Sequence, residues 1–218
     1  LDEVSGKQAA LDYAQHNYAW FDAHGLGETA MYQSARRLEE LNRIAEARDT
    51  YVRTAKTYPY PDGGLFDDAL FRASLLDEKL GQPEQAIAHL REMLSVREPA
   101  TFSGSYERPR FSEAQMRIAE LYRDALDEPA AARQEFRKLF REFETSSFRD
   151  DALWAEATIA TKQGDEAGAC EAVNLLVREL PDSRYAPCAS LLCSAAPKPN
   201  MKKSCRRYVR RQMAGGGE

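Results

Sequence analysis

One spacing recurs four times along this chain. Small residues stand at Ala30, Ala69, Ala114 and Ala152, and a second set at Ala47, Ala86, Ala132 and Ala169. The gaps within each pair are 17, 17, 18 and 17 residues. Each pair sits in a segment that reads as an apolar helix, a short turn and a second apolar helix: Glu28 to Pro59, Asp67 to Pro99, Ser112 to Glu144 and Asp150 to Pro181. Alanine suits these places because two antiparallel helices must approach closely there, and a larger side chain would push them apart. Pro59 and Pro181 follow the second alanine by 12 residues and Pro99 by 13, and proline cannot continue a helix. Gly81 and Gly164 fall in the turn between paired helices, where positive φ costs glycine little. A pattern repeating on this scale predicts an all-α array in which each helix pair buries its apolar face against the next.

The units are expected near residues 28–60, 67–99, 112–146 and 150–182, with a partial fifth at 184–195. The third departs from the pattern: Leu126-Asp127-Glu128-Pro129 replaces the turn glycine, and the closing proline is missing. The ends are atypical, as the caps of repeat arrays tend to be. Residues 7–23 read as one amphipathic helix within an N-terminal cap over 1–27, ended by His24-Gly25-Leu26-Gly27. Pro197, Pro199 and Asn200 mark a turn within residues 196–213, and Met201 to Met213 read as a basic last helix. Residues 214–218 are expected to be disordered.

The stretches KLGQPEQAIAHLREML and KQGDEAGACEAVNLLVRELPDSRYA resemble tetratricopeptide repeats (TPR). The Asp-Asp-Ala-Leu openings at Asp67 and Asp150 resemble those of bacterial envelope TPR proteins of the BamD and CpoB (YbgF) type. The resemblance spans about residues 28–195. It implies a TPR-like right-handed solenoid of antiparallel helix pairs with a C-terminal capping helix. It also implies a concave groove lined by the first helix of each pair. The fifth position of that helix would then be Tyr32, Phe71, Met116 and Trp154, and one turn on stand Arg36, Leu75, Glu120 and Thr158. Such a groove suits an extended or helical peptide. Aromatic stripes at helical spacing also build the core between repeats, and the exposure of Trp154 and Phe71 decides between the two.

An insertion marks a second candidate surface. The step from Ala86 to Ala132 is 46 residues, against 39 and 37 for its neighbours. The excess contains Phe102, Tyr106, Arg108 and Arg110, residue types favoured at interfaces. Insertions in repeat proteins map to loops on one face, where they serve binding or fold back as spacers.

The four cysteines, Cys170, Cys188, Cys193 and Cys205, all fall in the last 50 residues. An even set confined to one region suggests two bridges stapling the end cap, with three pairings possible. The favoured pairing is Cys170 with Cys188 and Cys193 with Cys205. Buried free thiols are the alternative. Zinc is disfavoured because no second pair accompanies the Cys188 and Cys193 spacing.

Composition adds exclusions. The chain is 43% hydrophobic and 30% charged, enough to bury a core. No apolar run reaches the roughly 18 residues a membrane-crossing helix needs. Net charge is −5, but seven basic residues and no acid lie between Lys198 and Arg211, so the rest of the chain carries 23 basic and 35 acidic residues, a balance of −12. Nucleic-acid binding needs a broad basic face, so none is expected. His16, His24 and His89 show no metal-ligand spacing and read as surface or partly packed residues. Asp67-Asp68 and Asp150-Asp151 sit at helix starts and read as capping and dipole complementarity. No catalytic motif, cofactor loop or metal set appears.

The expectation is a non-catalytic scaffold or adaptor binding a protein or peptide, in the periplasm at the outer membrane. Membrane association would come through an N-terminal anchor removed before Leu1. A TPR regulatory module cut from a larger cytoplasmic signalling protein is the alternative, and an accessory acting through the basic helix is a third reading. The sequence leaves the oligomeric state open.

Overall fold

The computed structural model describes residues 3–97, 109–197 and 204–213. They form α-helices joined by short turns, with no strand among the described residues. Phe102, Tyr106 and Arg108, most of the inserted segment and the tail 214–218 lie outside them. The chain divides into two compact units, residues 1–114 and 115–218.

In the first unit α1 (Glu3–His16) and α2 (Tyr18–Ala23) precede the helix pairs α3 (Gly27–Glu40) with α4 (Ile44–Thr57) and α5 (Phe66–Lys79) with α6 (Pro83–Ser95). The helix α7 (Pro109–Asp124) begins at the end of this unit. The single N-terminal helix expected over 7–23 is two helices, broken at Asn17, where the Tyr13 carbonyl accepts from both the backbone amide and the side-chain amide of Asn17. Asparagine competes for the backbone in this way, and so breaks helices. The second unit pairs α7 with α8 (Pro129–Glu142) and α9 (Arg149–Lys162) with α10 (Glu166–Glu179). A 3₁₀ segment (Ala186–Leu191) and the short α11 (Arg207–Met213) close the chain. The partial fifth unit is therefore a 3₁₀ segment rather than an α-helix, started by Pro187.

The recurring alanines sit where the helices touch. Ala47, Ala69, Ala86, Ala114, Ala132, Ala152 and Ala169 are fully buried. Each intra-pair turn holds one residue at positive φ: Asn42, Gly81, Asp127 and Gly164. The amide after it reaches back to a carbonyl of the preceding helix, as Arg43 does to Leu38, Gln82 to Asp77 and Asp165 to Ala160. This closes orphan helix-end carbonyls in the manner of a Schellman motif. In the third unit Glu128 reaches back six residues to Tyr122, and that extra residue is the longer 18-residue gap. Asparagine and aspartate tolerate positive φ well enough to replace glycine.

Successive pairs are joined by a polar register. The residue after the second alanine is Arg48, Ile87, Arg133 or Cys170, and all but Ile87 form such a link. Arg48 bonds the buried Asp77 and, at 3.0 Å, Gln82 in the next turn. Arg133 bonds Gln163 at 3.0 Å and Asp165 at 2.8 Å in the next turn. Cys170 makes the same kind of link covalently, to Cys193. The acid two residues before the first alanine also reaches forward: Glu28 accepts from the amides of Gly64 and Leu65, and Asp150 from the Ser183 hydroxyl.

The second disulfide is Cys188–Cys205, so the expected pairing of Cys170 with Cys188 and Cys193 with Cys205 is overturned. The reason is antiparallel geometry. In a hairpin, residues equidistant from the turn face each other. Cys170 and Cys193 are centred on Pro181-Asp182, and Cys188 and Cys205 on Ala196-Pro197. Cys170 with Cys188 would be centred inside α10.

Three smaller expectations are corrected as well. His89 is buried, with Nδ1 2.7 Å from Asp77 Oδ2, because Asp77 needs partners beneath the turn. The acidic pairs stand in the first turn of their helices, as dipole complementarity expects, but they do not hold the N-cap: Leu65 and Phe148 occupy it without side-chain bonds. Instead Asp68 accepts from Tyr32, and Asp151 accepts from Tyr185 and Arg184. Arg110 begins α7 as a packed residue: it lies 4.7 Å over the Phe71 ring and pairs with Asp68 at 2.9 Å.

Candidate functional site

The second unit contains an open cavity of about 690 Å³ between α7, α9 and the approach to the 3₁₀ segment. Four expected groove residues line it together: Met116 and Glu120 on α7, Trp154 and Thr158 on α9. Each couple is spaced by four residues, which places both side chains on one helix face. The floor is Trp154, whose indole stacks on Tyr185 with ring centroids 4.9 Å apart and planes 10° from parallel. Both rings are buried. The Tyr185 hydroxyl donates to Asp151 at 2.6 Å, and burial followed by that carboxylate pushes its pKa up. Tyr185 therefore stays neutral and serves as a donor that fixes the stack.

The walls are polar. Thr158 donates its hydroxyl to the Trp154 carbonyl at 2.8 Å, and Arg117 donates to Glu120 at 3.0 Å. Arg123 clasps Asp124 through two bonds of 2.7 Å, and its guanidinium holds that carboxyl below the usual carboxylate range. Lys162 and Asp127 complete the rim. An apolar floor under a rim of both charge signs can hold a few residues of peptide.

The equivalent residues of the first unit differ in burial. Tyr32 and Phe71 are 6% and 3% exposed, and Trp154 only 7%. All three are core side chains rather than protruding anchors. Tyr32 packs edge-on to Tyr51 at 5.3 Å and donates to Asp68. Arg36 is exposed and Leu75 half-buried. Sequence reasoning missed Tyr185, Arg123, Asp124 and Lys162. Tyr185 was findable, since it stands four residues before Ala189 as Phe148 stands four before Ala152.

A second cavity, about 580 Å³, lies along α8 over Arg133, Arg137, Lys138 and Arg141. Its centre is already satisfied. Arg137 grips the buried Glu156 with two bonds of 2.7 Å and reaches Glu171 at 2.6 Å.

Comparison with known families gives a partial match. The tetratricopeptide repeat model matches residues 68–96 and 113–146. Over those two stretches the chain is similar to tetratricopeptide repeats. The two matched TPR stretches fall on α5 with α6 and on α7 with α8. No curated protein matches the sequence. Among solved structures, YrrB, described as a TPR protein with an unusual peptide-binding site, is 17% identical. The likeness covers 84% of this chain and 86% of that one, with a TM-score of 0.48.

Proposed function

We propose that this TPR protein is a non-catalytic interaction module that holds a protein or peptide segment in the α7–α9 groove. The observation that carries the reading is the convergence of Met116, Glu120, Trp154 and Thr158 on one cavity with a rigid aromatic floor. A preordered site loses little side-chain entropy on binding, which lets modest contacts give useful affinity. Peptides selected from a random library against the folded protein would test it, with binding read by fluorescence polarisation. Met116→Glu and Thr158→Arg place bulk and charge on the half-buried walls and should abolish binding of groove-selected peptides. Selected peptides that bind both variants as tightly as the parent would sink the proposal.

We further infer an envelope role of the BamD and CpoB kind, in an oxidising compartment, with the partner and any anchor belonging to that setting. The support is the pair of bridges, since such bridges persist outside reducing cytosol. Maleimide labelling of denatured native protein should find no free thiol. Full labelling would favour the cytoplasmic regulatory module instead.

A further inference from the structure

Among the described residues, five large hydrophobic side chains are exposed, and all five lie outside the four helix pairs. Tyr13, Trp20 and Leu26 are 65%, 56% and 46% exposed in the N-terminal cap. Leu191 and Tyr208 are 44% and 41% exposed in the C-terminal cap. Large apolar side chains gathered at the surface in this way mark candidate contact surfaces. The N-terminal group is also preordered. Trp20 stacks on His24 with centroids 4.2 Å apart, His24 Nδ1 bonds the Trp20 carbonyl at 2.7 Å, and Phe21 packs edge-on to both Trp20 and Tyr13. A fixed tryptophan at the surface is the kind of residue that dominates interfaces.

The caps also carry opposite charge. Residues 1–27 hold four acids and one lysine, a net of −3, while residues 196–213 hold seven bases and no acid, a net of +7. In the N-terminal cap, Asp12 and Asp22 are exposed and accept from neutral donors, Gln8 and Tyr58. In the C-terminal cap, Arg206, Arg207, Arg210 and Arg211 are all exposed, and none meets a carboxylate among the described residues. Elsewhere most arginines are ion-paired, as with Arg48, Arg72, Arg133 and Arg137. The short α11 is nonetheless held firmly, by fully buried Val209 and by the Cys188–Cys205 bridge.

We propose that the N-terminal cap of one copy docks on the C-terminal cap of a second copy, Trp20 and Tyr13 meeting Tyr208 and Leu191 beneath an acidic-to-basic rim. The contact joins unlike patches, so it is heterologous and passes from copy to copy. Bilayers and nucleic acids are also anionic, but neither accounts for the apolar acidic patch, whereas a second copy accounts for both.

Sedimentation equilibrium of the oxidised full chain is the test. The weight-average mass should rise above the 24.6 kDa monomer as concentration climbs from micromolar to millimolar. It should fall back in about 1 M salt, where the Debye length is near 3 Å. Trp20→Asp should weaken association by about thirtyfold or more, the loss a hot-spot residue gives. Arg207→Glu with Arg210→Glu should do the same, and circular dichroism should show both variants folded. The deciding arm mixes the two variants: each alone is monomeric, but together they retain one sound interface and should form a discrete 1:1 dimer. A parent that stays monomeric, association indifferent to salt, or a mixture that stays monomeric each overturns the proposal.

Discussion

Replacing Arg137 with methionine should damage the fold more than any other single change to an ion pair in this protein. The Arg137 and Glu156 side chains are 13% and 6% exposed and share two bonds of 2.7 Å. Methionine keeps much of the apolar stem, so little cavity forms. What remains is a buried carboxylate without its cation, a state costing about 3–5 kcal/mol. The lost bond to Glu171 adds little, because that carboxylate is 67% exposed and such pairs contribute about 0.5 kcal/mol. Burial already pushes the Glu156 carboxyl up, with Arg137 holding it back, so removing Arg137 raises it further. The sign follows: an acid with a raised folded-state pKa is penalised only while charged, so the variant should lose less stability at about pH 5 than at about pH 7.5. Urea denaturation followed by circular dichroism at both pH values reads the cost from midpoints at constant slope. Arg137→Met with Glu156→Met should recover to within about 1 kcal/mol of the parent, completing a double-mutant cycle. Arg37→Met is the control, since the exposed Arg37–Glu40 pair should contribute only about 0.5 kcal/mol. A cost for Arg137→Met under about 1 kcal/mol, or one equal at both pH values, would refute the reasoning.

Three further predictions follow from the same structure. Converting Cys170 and Cys193 together to alanine should destabilise the C-terminal cap by about 3 kcal/mol, from a closed loop with a sequence separation of 23, and non-reducing peptide maps of the parent should show Cys170–Cys193 and Cys188–Cys205 fragments. Gly27→Ala should cost about 1–3 kcal/mol in thermal melts, because its Cβ would stand 2.1 Å from the Tyr58 hydroxyl and 2.3 Å from Asp22 Oδ1 and so part the bond between them. The Asp165 carboxyl is held low by the Gly168 amide and then Arg133, so its contribution is complete above the unfolded value of about 3.9 and is lost as pH falls through the folded one; Asp165→Asn should flatten the fall of Tm below about pH 4.

The proposed binding role of the groove depends on stiffness beneath it. Trp154 is pinned by Tyr185, Tyr185 by Asp151, and Asp151 by Arg184 as well, so the floor is set by the joint with the following segment. The disulfide Cys170–Cys193 closes that same joint. A tight C-terminal end therefore supports the floor of the site.

What the sequence determined by itself was everything periodic. Helix pairs, buried alanines, turn positions and the proline stops at Pro59 and Pro181 were legible because each is a local demand of backbone geometry, repeated until chance could not supply it. Even the odd 18-residue gap was visible, and only its cause, one extra turn residue before Glu128, needed coordinates. Tertiary structure decided whatever depends on distance across the chain. Tyr32, Phe71 and Trp154 have the same register as protruding anchors would, and only tertiary packing makes them core. The cysteine pairing turned on where the two hairpins fold, and the break at Asn17 on a single side-chain bond. Arg48, Arg133 and Cys170 share one position in the repeat, yet which group each one meets is fixed by the neighbouring unit, because a solenoid side chain is completed by residues some 30 positions away.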